Sequence, residues 1–188
     1  MFFLKEWNKS LDLTEFYLAC AEKGYVNNSS EKRLLNSIRK EKEWSCWILY
    51  SDDVPIGSVA AHSFDRIMGE NTYRILSRTC VFGEYSPFKG LYTTTSQRAK
   101  EHQNIVDQYF VPKCLEWVGD SRAFITSISG TGVSVKSQRL VHNYYLPHLE
   151  ELGLVIRMDN VLYKGVEQTV WEVHKNNFLD RLNQYPRW

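Results

Sequence analysis

The chain has 188 residues, 43% of them hydrophobic and 24% charged, enough for one globular domain with a real core and too apolar for a disordered segment. Its 23 Lys and Arg against 22 Asp and Glu leave a net charge of +1. That balance lacks the basic excess by which a dedicated duplex binder releases counterions, so a nucleic-acid partner is not expected.

Phe2–Lys5 reads as a short first strand, and its apolar run is too short for a signal peptide or a membrane span. A soluble, cytoplasmic protein with no membrane contact is expected. Leu11–Lys23 carries Leu13, Phe16, Tyr17, Cys20 and Ala21 at helical spacing, with Gly24 placed to stop it. Ser29 or Ser30 caps a second helix, Glu31–Lys42, with a narrow stripe of Leu34, Leu35 and Ile38. Trp44–Tyr50 is a strand, Asp52–Pro55 a turn and Ile56–Phe64 a second strand. Asp65–Asn71 is another turn. Tyr73–Phe82 then reads as a central strand, facing inward through either Tyr73, Ile75, Thr79 and Val81 or Leu76, Cys80 and Phe82.

Gly83–Ser96 is a polar loop, long for a strand-to-helix connection. Gln97–Phe110 resumes helical spacing, which Pro112 limits, and Cys114–Val118 leads into a strand at Ser121–Ile128. A helix over Ser134–Tyr145 is interrupted at Pro147, and a further turn, His148–Leu152, ends at Gly153. Leu154–Tyr163 and Val166–His174 form a hairpin around Lys164-Gly165. A short helix and a loose end occupy 176–188. A single domain over 1–188 is expected, of α/β class with a mixed sheet.

Cys20, Cys46, Cys80 and Cys114 form no C-x-x-C pair and each borders an apolar run, as reduced buried thiols do. His62, His102, His142, His148 and His174 show no metal-ligand spacing, and no metal is assigned.

This order of elements resembles the GNAT superfamily of acyl-CoA N-acyltransferases over about residues 2–174. Leu149-Glu150-Glu151-Leu152-Gly153-Leu154 is similar to the end of the family's fourth helix, where a glutamate-leucine-glycine run precedes the sixth strand. Val54-Pro55-Ile56-Gly57-Ser58-Val59 resembles its third strand, and Gln168-Thr169-Val170-Trp171-Glu172-Val173 its last. The resemblance implies a mostly antiparallel central sheet flanked by helices on both faces. It implies acetyl-CoA or another acyl-CoA as donor and a small-molecule or peptide amine as acceptor. Assembly stays open, a homodimer included.

One family feature is missing. A Gln/Arg-x-x-Gly-x-Gly/Ala loop, whose N–H groups hold the coenzyme A pyrophosphate, does not follow Phe82. Thr94-Thr95-Ser96-Gln97-Arg98 offers hydroxyls, a helix N-terminus and a cation instead, and equally reads as an N-cap with a solvated Arg98. The alternative to an enzyme is therefore a GNAT-shaped binding protein that has lost the cofactor loop.

Acyl transfer to an amine needs a polarised carbonyl, a proton acceptor and a proton donor for the departing thiolate. By resemblance, backbone N–H groups at Val81, Phe82 and Gly83 polarise the carbonyl, while Thr94, Thr95, Ser96 and Arg98 hold the cofactor phosphates. The family's thiolate-protonating tyrosine lies about one turn before the glycine, where this chain has Leu149. Tyr144 and Tyr145 lie two turns upstream, and Tyr145 is the assigned donor; both also read as core aromatics. Glu84 and His142 are the candidates for the base. Gly130–Ser137 nearly spells a Walker A loop but has Val135 where that loop needs glycine, so nucleotide hydrolysis is set aside. Arg74 and Arg78 share a face of the central strand, where they meet an anionic substrate or pair with Glu43 or Glu172.

Overall fold

The computed structural model describes residues 1–7, 38–81, 104–127, 146–163, 165–176 and 178–184. The strands are β1 (Phe2–Glu6), β2 (Trp44–Ser51), β3 (Val54–Ser63), β4 (Thr72–Val81), β5 (Arg122–Ser127), β6 (Val155–Tyr163) and β7 (Val166–Val173). The helices are α1 (Asp65–Met68), α2 (Val111–Val118), α3 (Leu146–Glu151) and α4 (Phe178–Gln184), with a π-helical segment at Val106–Phe110. The strands form one sheet in the order β1-β2-β3-β4-β5-β7-β6, mixed and mostly antiparallel. The chain divides into two compact units, one of Met1–His62 with Leu76–Phe110 and one of Ser63–Ile75 with Val111–Trp188.

In the first unit β1 lies antiparallel to β2, from Phe2 opposite Ser51 to Glu6 opposite Trp47. β2 and β3 form a hairpin across Asp52-Asp53, and Asp52 takes the left-handed φ of 53° that such a turn demands. The turn is shorter than the expected Asp52–Pro55, because Val54 and Pro55 pair with Ser51 and Tyr50. Register shifts beside them at Leu49/Tyr50. There Ile56 is the extra residue of a bulge, the setting in which a strand tolerates a proline without an N–H. Trp47, Leu49, Ile56, Val59, Ala60 and Ala61 are buried on this frame. Cys46 is buried and in no disulfide, as expected from its apolar surroundings.

The second unit begins where Phe64 closes the β3–β4 connection, donating its N–H to the Thr72 carbonyl at 2.7 Å. Within that connection the single turn α1 ends at Gly69 (φ 93°) and Asn71 (φ 57°), both residue types that accept positive φ. Ile67 and Met68 of α1 pack on a cluster of Phe64, Phe124, Tyr163 and Val170.

Pro112 does not end a helix as expected. It stands second in α2, which directly follows the π-helical Val106–Phe110, a wider turn in which the regular hydrogen-bond ladder is already interrupted. Cys114–Val118, expected as a run-in to β5, is the body of α2, and Cys114 is likewise buried and in no disulfide. α3 ends in a Schellman arrangement: Gly153 (φ 65°) donates to the Glu150 carbonyl at 2.8 Å and Leu154 to the Leu149 carbonyl at 2.9 Å. That turn sends the chain into the β6–β7 hairpin, whose tight connection has Gly165 at φ 79°. β6 is a sheet edge, bulged between Met158 and Val161, with Asn160 at φ 58°. α4 closes the unit by burying Phe178 and Leu182. No described helix is long and apolar enough to cross a membrane.

Candidate active site

The feature that sets this sheet apart is a parallel ladder that stops early. In the second unit β4 pairs with β5 through Thr72–Arg122, Tyr73–Ala123 and Arg74–Phe124. Within this unit the pairing ends there, although β5 runs on to Ser127. Past Phe124, β5 pairs on its other side: Ile125, Thr126 and Ser127 lie opposite Trp171, Val170 and Thr169 of β7.

β7 anchors β5 through charge as well. Arg122 Nε and Nη2 donate to the two Glu172 carboxylate oxygens at 2.7 and 2.8 Å, and the guanidinium lies 5.0 Å from the Phe124 ring. The hydrogen bond from Arg122 holds the Glu172 carboxyl below the usual carboxylate range, and Glu172 raises the Arg122 pKa in return. Glu172, expected as a partner of Arg74, is thus matched to Arg122. Arg74 is 8% exposed, with its guanidinium 5.7 Å from the Tyr163 ring centre.

In the first unit the remainder of β4 carries a kink. Leu76 has φ 52°, which an aliphatic L residue adopts only under strain. The Thr79 hydroxyl donates to the Leu76 carbonyl at 2.7 Å, pinning the displaced peptide. The kink also explains why neither expected set of inward residues holds. Thr72, Arg74, Ile75 and Ser77 are buried while Tyr73 and Leu76 are half-buried. Alternation therefore changes phase at Ile75-Leu76, where the backbone leaves the extended region. Ser77, next to the kink, is 0% exposed and its hydroxyl has no hydrogen-bond partner. Strain and an unsatisfied buried hydroxyl on successive residues mark a functional position more often than a structural one.

Among the orphaned side-chain atoms of the second unit, two are oxygens, Thr126 Oγ1 on β5 and Gln168 Oε1 on β7. They lie on the sheet face that carries Phe124 and Val170, since Thr126 is opposite Val170 and Gln168 is two residues from it. On the other face Arg157 lies over the Trp171 ring at 5.4 Å and pairs with Asp159 at 2.8 Å, which lowers the Asp159 pKa.

Elsewhere in this unit a groove of about 430 Å³ lies between α2 and α4, lined by Leu115, Asp120, Lys175 and Leu179 among others. Its amine is committed to the fold: Lys175 Nζ donates to the carbonyls of Gly119 and Ser121. Burial pulls the Lys175 pKa down, with Asp120 opposing. Among the described residues no three His, Cys, Asp or Glu side chains converge as a metal site would require.

Of the residues the sequence nominated, Val81 ends β4. Phe82, Gly83, Glu84, Thr94, Thr95, Ser96, Arg98, His142 and Tyr145 lie outside the described residues, as do Tyr144 and Gly130–Ser137. Leu76, Ser77, Thr126 and Gln168 were not nominated. For Ser77, Thr126 and Gln168 the one signal in the sequence is a polar residue within a strand; Leu76 carries none.

The fold matches solved structures over nearly its whole length. A provisionally named acetyltransferase from Exiguobacterium sp. 255-15 shares 13% identity, with a TM-score of 0.50 over 96% of this chain and 97% of that one. A provisionally named acetyltransferase of the GNAT family from Desulfovibrio desulfuricans shares 10% identity, with a TM-score of 0.52 over 93% and 99%. An uncharacterized protein from Bacillus halodurans shares 10%, with a TM-score of 0.53 over 98% and 92%. No protein-family model matches the chain, and no curated protein matches it. At these identities the likeness establishes the fold, which is GNAT-like, and leaves the chemistry to the site.

Proposed function

We propose that this protein is an acyl-CoA-dependent N-acyltransferase that moves an acetyl or related acyl group to an amine. The observation that carries the reading is the β4–β5 ladder of the second unit, which stops at Arg74–Phe124, in a sheet of GNAT-like order. Parallel strands buried in a sheet normally pair along their length. Ending the ladder at Arg74 leaves main-chain N–H and C=O groups of β5 without a β4 partner, which suits a ligand that brings amide groups of its own, as a pantetheine arm does.

In this proposal the acceptor nitrogen attacks the thioester carbonyl carbon, the C–S bond breaks, and the thiolate leaves with a proton. Backbone N–H groups of β4 between the kink and Val81, with Phe82 and Gly83 beyond, polarise the carbonyl oxygen. Glu84 or His142 takes the amine proton and Tyr145 supplies one to the thiolate. Thr94, Thr95, Ser96 and Arg98 hold the phosphates in place of the missing glycine loop.

Incubation with acetyl-CoA and a panel of amines tests the reading. One free thiol must appear for each amine consumed. The missing glycine loop favours a second reading, a GNAT-shaped binding protein. Absence of thiol release across the panel would leave that reading standing and remove the first.

A further inference from the structure

From the two orphaned oxygens in the second unit, we infer that Gln168 and Thr126 form the subsite that reads the amine acceptor, and that this acceptor is a small monoamine rather than a polycation. The inference deepens the acyltransferase reading and rests on it for the meaning of the site.

Gln168 is 5% exposed, and its Oε1 accepts no hydrogen bond. It lies opposite Val161 and two residues from Val170, both in the apolar cluster of Phe64, Phe124 and Tyr163. A valine or leucine in that setting would cost the fold nothing, whereas an amide without a partner is destabilising. Thr126 repeats the pattern on the neighbouring strand: Oγ1 is buried and unpartnered. Thr126 faces Val170 directly, so Gln168 is its diagonal neighbour on the same face, with Cα atoms about 7–8 Å apart. Two orphaned acceptors at that spacing can converge on one donor group. They also sit just past Phe124, where β5 loses β4 as a partner.

The Gln168 carbonyl oxygen lacks an N–H or O–H donor and the Thr126 hydroxyl lacks any partner; a neutral amine, donor through its N–H and acceptor through its lone pair, satisfies both. Both are also neutral. Glu172, on the same face, is held by two bonds from Arg122. Two neutral oxygens can orient one ammonium or amine, but they offer nothing to balance several charges.

The test uses the full-length protein and two probes, glycinamide as a small monoamine and spermidine as a polycation. Binding of each is measured by calorimetry without acyl-CoA, for wild type, Gln168→Leu and Thr126→Val. The inference expects glycinamide to bind wild type and to weaken about 10-fold in either variant. The melting temperature of Q168L should equal or exceed that of wild type, because a structural amide would leave a deficit when removed. Acetyl-CoA binding should be unchanged in both variants. Glycinamide affinity unchanged in both variants, no glycinamide binding to wild type, or a preference for spermidine would each overturn it. So would a lowered melting temperature in Q168L. Failure of the transferase reading is seen separately, as absent thiol release with glycinamide binding intact.

Discussion

Replacing Leu76 once by alanine and once by glycine isolates the kink in β4. Both changes remove nearly the same half-buried side chain, so losses from transfer and packing largely cancel between the two variants. What remains is backbone. An L residue held in the left-handed region costs about 1–2 kcal/mol, and position 76 stands at φ 52°. Glycine escapes that strain but loses about 0.5–1 kcal/mol of chain entropy relative to alanine within a regular element. The difference leaves L76G more stable than L76A by about 0.5–1 kcal/mol. At Lys5, in the regular ladder of β1 opposite Ile48, the same pair should reverse, with K5A above K5G by about 0.5–1 kcal/mol. Urea denaturation reads both comparisons as midpoint shifts at constant slope. L76A more stable than L76G would mean that β4 is extended there, and the account of the site would lose its kink.

Four further outcomes follow from the same coordinates. Glu172→Gln should cost about 1 kcal/mol at neutral pH, since the pair is doubly hydrogen-bonded but its arginine is half exposed. Because the Arg122 hydrogen bond holds the Glu172 carboxyl pKa below that of an ordinary glutamate, its contribution is complete above the ordinary glutamate pKa and is lost as pH falls through the folded one. The gap to wild type should thus be constant in neutral solution and close in acid; a gap that persists in acid would refute the pairing. Gly153→Ala should destabilise by about 1–2 kcal/mol, since φ is 65° and the new Cβ would stand 3.4 Å from Arg181 Nη2; an unchanged urea midpoint would contradict the Schellman end of α3. Phe124→Ala, at a fully buried ring, should cost about 3–5 kcal/mol in the same assay. Thr79→Val should cost about 0.5–1.5 kcal/mol by leaving the Leu76 carbonyl without its donor and should slow acyl transfer more than it weakens acceptor binding.

Much of this fold was legible because its turns are written in residues with one conformational purpose. Asp52, Gly69, Asn71, Gly153 and Gly165 each stand at positive φ in or beside a connection, and the strands between them are rich in Trp, Val, Ile and Tyr. Pro112 misled because a proline usually limits a helix, whereas here it follows a π-helical turn that nothing in the sequence of Val106–Phe110 declares. The candidate site was far less legible. Leu76 has no sequence signature for positive φ; the strain there is imposed by the sheet around it. Ser77, Thr126 and Gln168 look like the outward half of an alternating strand. Only their burial shows that they face inward without partners, and burial is a tertiary property.

The most direct test of the central claim follows backbone amide resonances while acetyl-CoA is added. The account predicts saturable shifts concentrated at Ile75 and Phe124–Thr126, just past the last β4–β5 pair of the second unit. Saturable binding that leaves those amides unmoved, or no binding at millimolar ligand, would contradict it.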